Sequence, residues 1–144
     1  MSTVAVVGGG PAGSSAALFT AKNGLDTVLF DTDETWMHKA HLFNYLGIES
    51  IDGGAFMETA HDQVDEFGVD RHQGEAVTGV EPNGDGFSLA TDADEYTAEY
   101  VVLGSVLVGV GGEREFLTVR IDTRDRFPLV AIDAEFVDLV VGRL

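Results

Sequence analysis

Gly8, Gly10 and Gly13, with Pro11 and Ala12 before the last of them, and an aspartate at Asp31 are the residues whose types and spacing could do chemistry. The chemistry is recognition of a diphosphate and a ribose. Gly8 permits a tight turn out of a strand, Gly10 lets the backbone approach a pyrophosphate, and Gly13 lets the following helix pack closely on a sheet. The helix N-terminus then offers free N–H groups and partial positive charge, so no lysine is needed. Asp31 follows Gly13 by 18 positions and can accept hydrogen bonds from ribose hydroxyls. A 2′-phosphate would meet repulsion from Asp31 and Asp33, which favours an adenosine with a free ribose over NADP.

Other groups make weaker constellations. His38 and His41 stand three apart, near Asp31, Asp33 and Glu34, but no third metal ligand has a clear position, so no metal site is expected. Ser14 and Ser15 follow the glycine turn without the GxSxG arrangement of a nucleophile elbow. Asp62, Asp65 and Glu66 read as a solvated helix face.

The elements that must position these residues are legible in the pattern. Val4 to Val7 is a continuous apolar run, as for a parallel strand buried on both faces. Pro11 suits the first helical position, an Ala/Ser-rich helix runs to Lys22, and Gly24 fits its C′ position. Thr27 to Phe30 is a second apolar strand ending at Asp31, which completes a βαβ unit. From Asp31 to Gly54 no strand-length apolar run occurs. Phe56, Ala60, Val64 and Phe67 then recur at helical spacing between Gly54 and Phe67, with Gly68 as terminator. Short strands are expected at Val69 to His72, Ala76 to Val80, Phe87 to Thr91 and Tyr96 to Leu103, with "EPNGDG" as a hairpin turn. The fold class is α/β: a Rossmann-like three-layer fold with a small antiparallel insertion.

Length and charge bound the answer further. The chain has 144 residues, enough for about one domain, spanning 1–144. Cysteine is absent, which removes disulfides, thiolate metal sites and a dithiol centre carried on this chain. With 25 Asp plus Glu against 8 Lys plus Arg, the formal net charge is -17, so nucleic acid is excluded as a partner. A carboxylate-rich, lysine-poor chain with 44% hydrophobic residues reads as folded and adapted to molar salt, where repulsion is screened over about 3 Å. No secretory pattern and no run of about 18 apolar residues is present, so no membrane contact and a cytoplasmic location are expected.

Several segments in order, "VAVVGGGPAG", "FNYLG", "IDGGAFM", "FGVD" and "YTAEYVVLG", resemble the FAD domain of the thioredoxin-reductase-like pyridine nucleotide-disulfide oxidoreductases, in a haloarchaeal form. The resemblance covers about residues 1–103. It implies FAD as cofactor, held by Gly8, Gly10, Pro11, Ala12 and Gly13 at the pyrophosphate, Asp31 at the ribose, Asn44 on the flavin side and the backbone of Val77 at adenine. It also places Trp36, His38 and His41 as candidates near the flavin ring, against the plainer readings of a core cap and solvated loop histidines.

The departures matter as much. The family's Ala-Thr-Gly after the returning strand is replaced by Gly104, Ser105 and Val106. No late Gly-Asp stands out. Gly84-Asp85 belongs to a hairpin, and Asp133 follows an apolar run but lacks the preceding glycine. Five of the eight basic residues lie beyond Gly104, so 104–144 is a divergent C-terminal segment, with strands expected at Phe116 to Ile121 and Leu129 to Ile132. Three functions follow: an FAD-dependent oxidoreductase lacking its own dithiol centre and nicotinamide domain, a non-catalytic or half-enzyme dinucleotide module, and a degenerate remnant. A nicotinamide-binding enzyme is the nearest competitor. The implied partners are a small-molecule or protein electron donor or acceptor, with a homodimer left open.

Overall fold

The computed structural model describes residues 3–104 and the backbone of Thr118–Val119 and Val130–Ala131. The first unit is β1 (Thr3–Val7), α1 (Pro11–Lys22) and β2 (Asp26–Asp31). A 3-10 turn (Trp36–Lys39) and two short strands, β3 (His41–Leu42) and β4 (Ile51–Asp52), lead into α2 (Gly53–Glu66). Then come β5 (Asp70–Gln73), β6 (Val77–Asn83), β7 (Gly86–Thr91), β8 (Glu95–Ala98) and β9 (Tyr100–Leu103). Finally β10 (Thr118–Val119) and β11 (Val130–Ala131) add one short strand to each of the two larger sheets.

The main sheet is parallel, in the order β11-β9-β1-β2-β5. Its centre is β1, with Val4–Val7 opposite Thr27–Phe30 on one side and Tyr100–Leu103 on the other. Alternation along these strands sorts the core into two faces. Val4, Val6 and Leu29 pack with Ala17 of α1 and Val64 of α2. Ala5, Val7 and Phe30 pack with Val80, Leu89 and Ala98 of the second sheet. Three layers result: two helices, the parallel sheet, and a sheet ordered β10-β6-β7-β8. Each large apolar side chain buried in these layers contributes about 1.5–3 kcal/mol, and Phe30, Leu29, Met57 and Leu89 are the largest fully buried ones.

Three expectations need correction. The "EPNGDG" turn is narrower than its composition suggests, because β6 and β7 pair as far as Asn83 and Gly86 and leave only Gly84 and Asp85 between them. Pro82 stands opposite Phe87, and the described residues of β10 meet β6 at Gly79 and Val80. The run from Tyr96 to Leu103 is two strands in two sheets, β8 antiparallel to β7 and β9 parallel to β1, divided at Glu99. The start of α2 is also one residue earlier than expected, since Asp52 caps it by accepting from Gly54 N at 2.9 Å. Of the strand expected at Phe116 to Ile121, Thr118 and Val119 pair with β6; of that at Leu129 to Ile132, Val130 and Ala131 pair with β9. The other residues beyond Gly104 lie outside the described residues.

Where β9 ends, Gly104 donates its N–H to Val7 O at 2.8 Å, and a Cβ at Gly104 would lie 2.7 Å from Gly13 Cα. Backbone meets backbone, so neither side can yield as a flexible side chain would. Gly104→Ala should therefore lower the unfolding free energy by about 1–3 kcal/mol through overpacking. Urea titration checks this, and an unchanged midpoint would show that the junction opens without cost.

Candidate functional site

The glycine turn is built as the spacing predicts. Gly8 has φ +102, a conformation that L side chains rarely adopt, and its N–H binds Phe30 O at 2.9 Å. Gly10 is the N-cap of α1, Pro11 occupies the first turn, and no side chain caps the helix. A Cβ at Gly13 would overlap Gly8 O, so α1 descends onto the turn only because that position lacks a side chain. The N–H groups of Ala12 and Gly13 in the first turn of α1 thus have no side-chain cap.

Asp31 closes β2 at the same end of the sheet and is buried, with its side chain 5% exposed. Its Oδ1 accepts from Asp33 N at 2.8 Å. Its Oδ2 is a buried acceptor without a hydrogen bond, although His61 Nε2 lies 3.1 Å away and Arg71 Nη1 3.8 Å away. The contradiction is one of direction: the His61 ring hydrogen bond goes to Gly9 O, at 3.2 Å. Gly9, which the GxGxxG spacing leaves undefined, lies against this carboxylate so closely that a Cβ there would overlap it.

Charge around Asp31 is arranged in pairs. Arg71 makes a fork to Asp65, Nε to Oδ1 and Nη2 to Oδ2, both at 2.9 Å. Those bonds hold the Asp65 carboxyl below its ordinary range and the guanidinium above its own. Asp65 is therefore more than the solvated face expected of it. Asp33 accepts from His38 Nε2 at 2.7 Å, which lowers its pKa. Asp31, Asp33 and His61 offer atoms within 4.8 Å of one another that could hold a cation. The guanidinium beside Oδ2 already brings positive charge there, and we assign no metal.

The other expected residues fall further from this centre. Asn44 is exposed in the loop between β3 and β4, and Val77 is half-buried at the start of β6, opposite Thr91. His41 pairs with Ser50 Oγ at 2.9 Å, so it and His38 do not converge. Trp36 does not cap the core: it is 53% exposed, with Lys39 Nζ 4.9 Å from its ring centroid. A groove of about 250 Å³ between α1 and α2, lined by Leu18, Tyr45, Phe56 and Ala60, touches the turn only at Pro11. Asp133 lies outside the described residues, two positions after β11.

His61, Arg71 and the partners of Val77's strand were not signalled by motif. Beside that strand, His72 sits between Glu75 Oε2, 2.8 Å from Nδ1, and Asp70 Oδ2, 3.2 Å from Nε2. Glu75 also accepts from Thr91 Oγ1 at 2.6 Å and from Tyr96 OH at 3.3 Å. The cluster joins β5 to β7 and β8, with Phe30 against both the His72 and Tyr96 rings. Burial pulls the His72 pKa down, but the bonds to Glu75 and Asp70 outweigh it and leave it raised. The Thr91 bond, then His72 and Tyr96, lower that of Glu75.

A parallel sheet with a glycine turn opening α1 and a buried acid ending β2 defines a dinucleotide-binding domain of the Rossmann type. Comparison with known proteins narrows the class. Residues 2–105 match the family model described as pyridine nucleotide-disulphide oxidoreductase. The chain is 30% identical over 122 residues to a thioredoxin reductase of Helicobacter pylori, covering 78% of this chain and 39% of that protein. It is 27% identical over 112 residues to a ferredoxin–NADP reductase of Levilactobacillus brevis, covering 71% and 34%. Among solved structures, an atypical thioredoxin reductase from Desulfovibrio vulgaris Hildenborough aligns with a TM-score of 0.70 at 28% identity, over 77% of this chain and 38% of that one. One from Gloeobacter violaceus gives 0.70 at 29%, over 78% and 39%. The chain belongs to the pyridine nucleotide-disulphide oxidoreductase family, on its thioredoxin-reductase-like side, and this is a family of FAD-binding flavoproteins. It spans well under half the length of these relatives.

The His72 cluster yields a pH prediction with a definite sign. The folded pKa of His72 lies above its ordinary 6.5, so its contribution is complete below about 6.5 and fades as pH rises through the raised value. Glu75, held below 4.5, stays ionised across that window. The stability gap between wild type and His72→Gln should therefore be larger at about pH 6 than at about pH 9. Thermal melts at the two pH values test it, and equal gaps would show that the imidazolium is not the stabilising form.

Proposed function

We propose that this chain holds FAD and serves as the flavin-binding part of an oxidoreductase. The observation that carries the reading is the glycine-built N-terminus of α1, which no side chain caps, at the end of the sheet where Asp31 closes β2. The residues fit an adenosine diphosphate: Gly8, Gly10, Pro11, Ala12 and Gly13 would take the pyrophosphate, Asp31 the ribose, and the Val77 backbone the adenine. Asn44 would lie toward the flavin. FAD, when bound, supplies the electron-transfer chemistry, and the protein supplies orientation and electrostatics.

No cysteine occurs in these 144 residues, so a dithiol acceptor would lie outside them. The similarity to a ferredoxin–NADP reductase supports an acceptor other than a disulfide, because such a reaction needs no thiol on the flavin domain. Among the described residues no helix is long and apolar enough to cross a membrane. The excess of carboxylates supports a working environment of high salt.

Absorbance between about 350 and 500 nm, after adding FAD and removing the excess, tests the reading. About one equivalent of retained flavin is the expected result; a folded, colourless protein would leave the non-catalytic or remnant reading. Asp31→Ala should weaken adenine-nucleotide binding by about 1–3 kcal/mol, and unchanged affinity would remove Asp31 from the site. Raising KCl from about 0.1 M to about 1 M should raise the melting temperature, as screening relieves carboxylate repulsion. A fall would remove the salt-adaptation reading.

A further inference from the structure

We propose that His61 is a positioning residue for the dinucleotide site, one that joins the pyrophosphate turn to the ribose acid. The inference rests on the reading of that site as an adenosine diphosphate site. His61 lies on α2, 52 residues from Gly9, and its side chain is only 12% exposed. Its Nε2 is 3.2 Å from Gly9 O and 3.1 Å from Asp31 Oδ2. Both neighbours accept hydrogen bonds, so Nε2 must carry a proton. The contact fixes the tautomer.

Gly9 O receives a second side-chain bond, from Ser14 Oγ at 2.8 Å, which is buried. Two donors from two helices thus hold one carbonyl. The peptide unit is planar and trans, so fixing the Gly9 carbonyl on one side turns the Gly10 N–H to the opposite side. Gly10 is the residue at which the spacing requires close backbone approach to a diphosphate, and its N–H makes no hydrogen bond within the described residues. A glycine-rich turn has little stiffness of its own. Ser14 and His61 supply it from outside.

The same nitrogen sets the second element. By directing its N–H to Gly9 O, His61 lies beside Asp31 Oδ2 without consuming that oxygen as a hydrogen-bond acceptor. Asp31 Oδ1 is meanwhile occupied by Asp33 N, so the carboxylate cannot turn to exchange its oxygens without losing that bond. Arg71, held by Asp65, closes the far side at 3.8 Å. One imidazole therefore fixes the direction of the Gly10 N–H and borders the carboxylate that the proposed function assigns to the ribose.

The test is titration of the full chain with ADP and with FAD, by calorimetry, for wild type, His61→Phe and His61→Gln. Phenylalanine keeps a planar ring and removes the donor; glutamine places an N–H₂ close to where Nε2 stands. His61→Phe should bind ADP about tenfold or more weakly, and His61→Gln should restore affinity to within about threefold of wild type. In the Asp31→Asn background the His61→Phe loss should shrink, because the two residues act on one ligand through one contact. Melting temperatures of the same variants show whether each is folded at the titration temperature. Wild-type binding with full affinity retained in His61→Phe overturns the assignment while leaving the flavin reading intact. Equal losses in the phenylalanine and glutamine variants, with additive effects against Asp31→Asn, also overturn it. A wild-type chain that binds neither ligand overturns the flavin reading, and the positioning role falls with it.

Discussion

Helix α1 comes down on the parallel sheet so closely that three glycines are in backbone contact, and the rest of the site depends on that approach. Gly13 lies against Gly8 O, and Gly104 against Gly13. The turn out of β1, the first turn of α1 and the end of β9 thus share one point. Because none of the three carries a side chain, the helix N-terminus stands at the C-terminal ends of β1, β2 and β9. That is where Asp31 ends its strand. The ligand-binding position in an open α/β sheet follows from strand direction alone, but here its depth follows from the glycines.

A buried carboxylate at such a point needs compensation, since an ionised group removed from water is costly unless paired or bonded. Asp31 is compensated in parts: a backbone N–H at Oδ1, and the charge of Arg71 and the ring of His61 beside Oδ2. Its Oδ2 has charge beside it from two elements but no hydrogen bond among the described residues. His61 and Arg71 come from α2 and β5, so the far side of the site is set by elements that sequence places well beyond the glycine turn.

Much of this was legible because it is periodic or punctuated. The apolar run of Val4 to Val7, Pro11 and Gly24 mark β1 and both ends of α1, and the spacing of Phe56, Ala60 and Val64 marks α2. What failed has local physical causes. Glu99 N–H bonds Thr3 O at 3.0 Å, switching the chain between sheets within an apolar stretch that alternation alone reads as continuous. Asn83 and Gly86 look like turn residues, yet they pair across the hairpin. His61 and Arg71 stand among charged neighbours on what reads as a polar helix face and a short strand. Only the register Leu29 to Arg71 brings the arginine beside Asp31, and no single-chain periodicity carries that register.

The use of positive charge shows the same economy at larger scale. Before Gly104 the chain has only Lys22, Lys39 and Arg71 as Lys or Arg, against a large excess of carboxylates. Most of those carboxylates are exposed, where water and salt suffice. The two lysines lie over exposed aromatic rings, of Phe19 and Trp36. The guanidinium is placed against the buried aspartate, and Asp65 fixes its plane. Arginine suits that position because a fork can bind one carboxylate on Nε and Nη2 while Nη1 faces another. A lysine would offer a single rotating ammonium and could not hold both geometries at once. In a chain this acidic, the position of its one early arginine therefore marks the acid that is buried among the described residues.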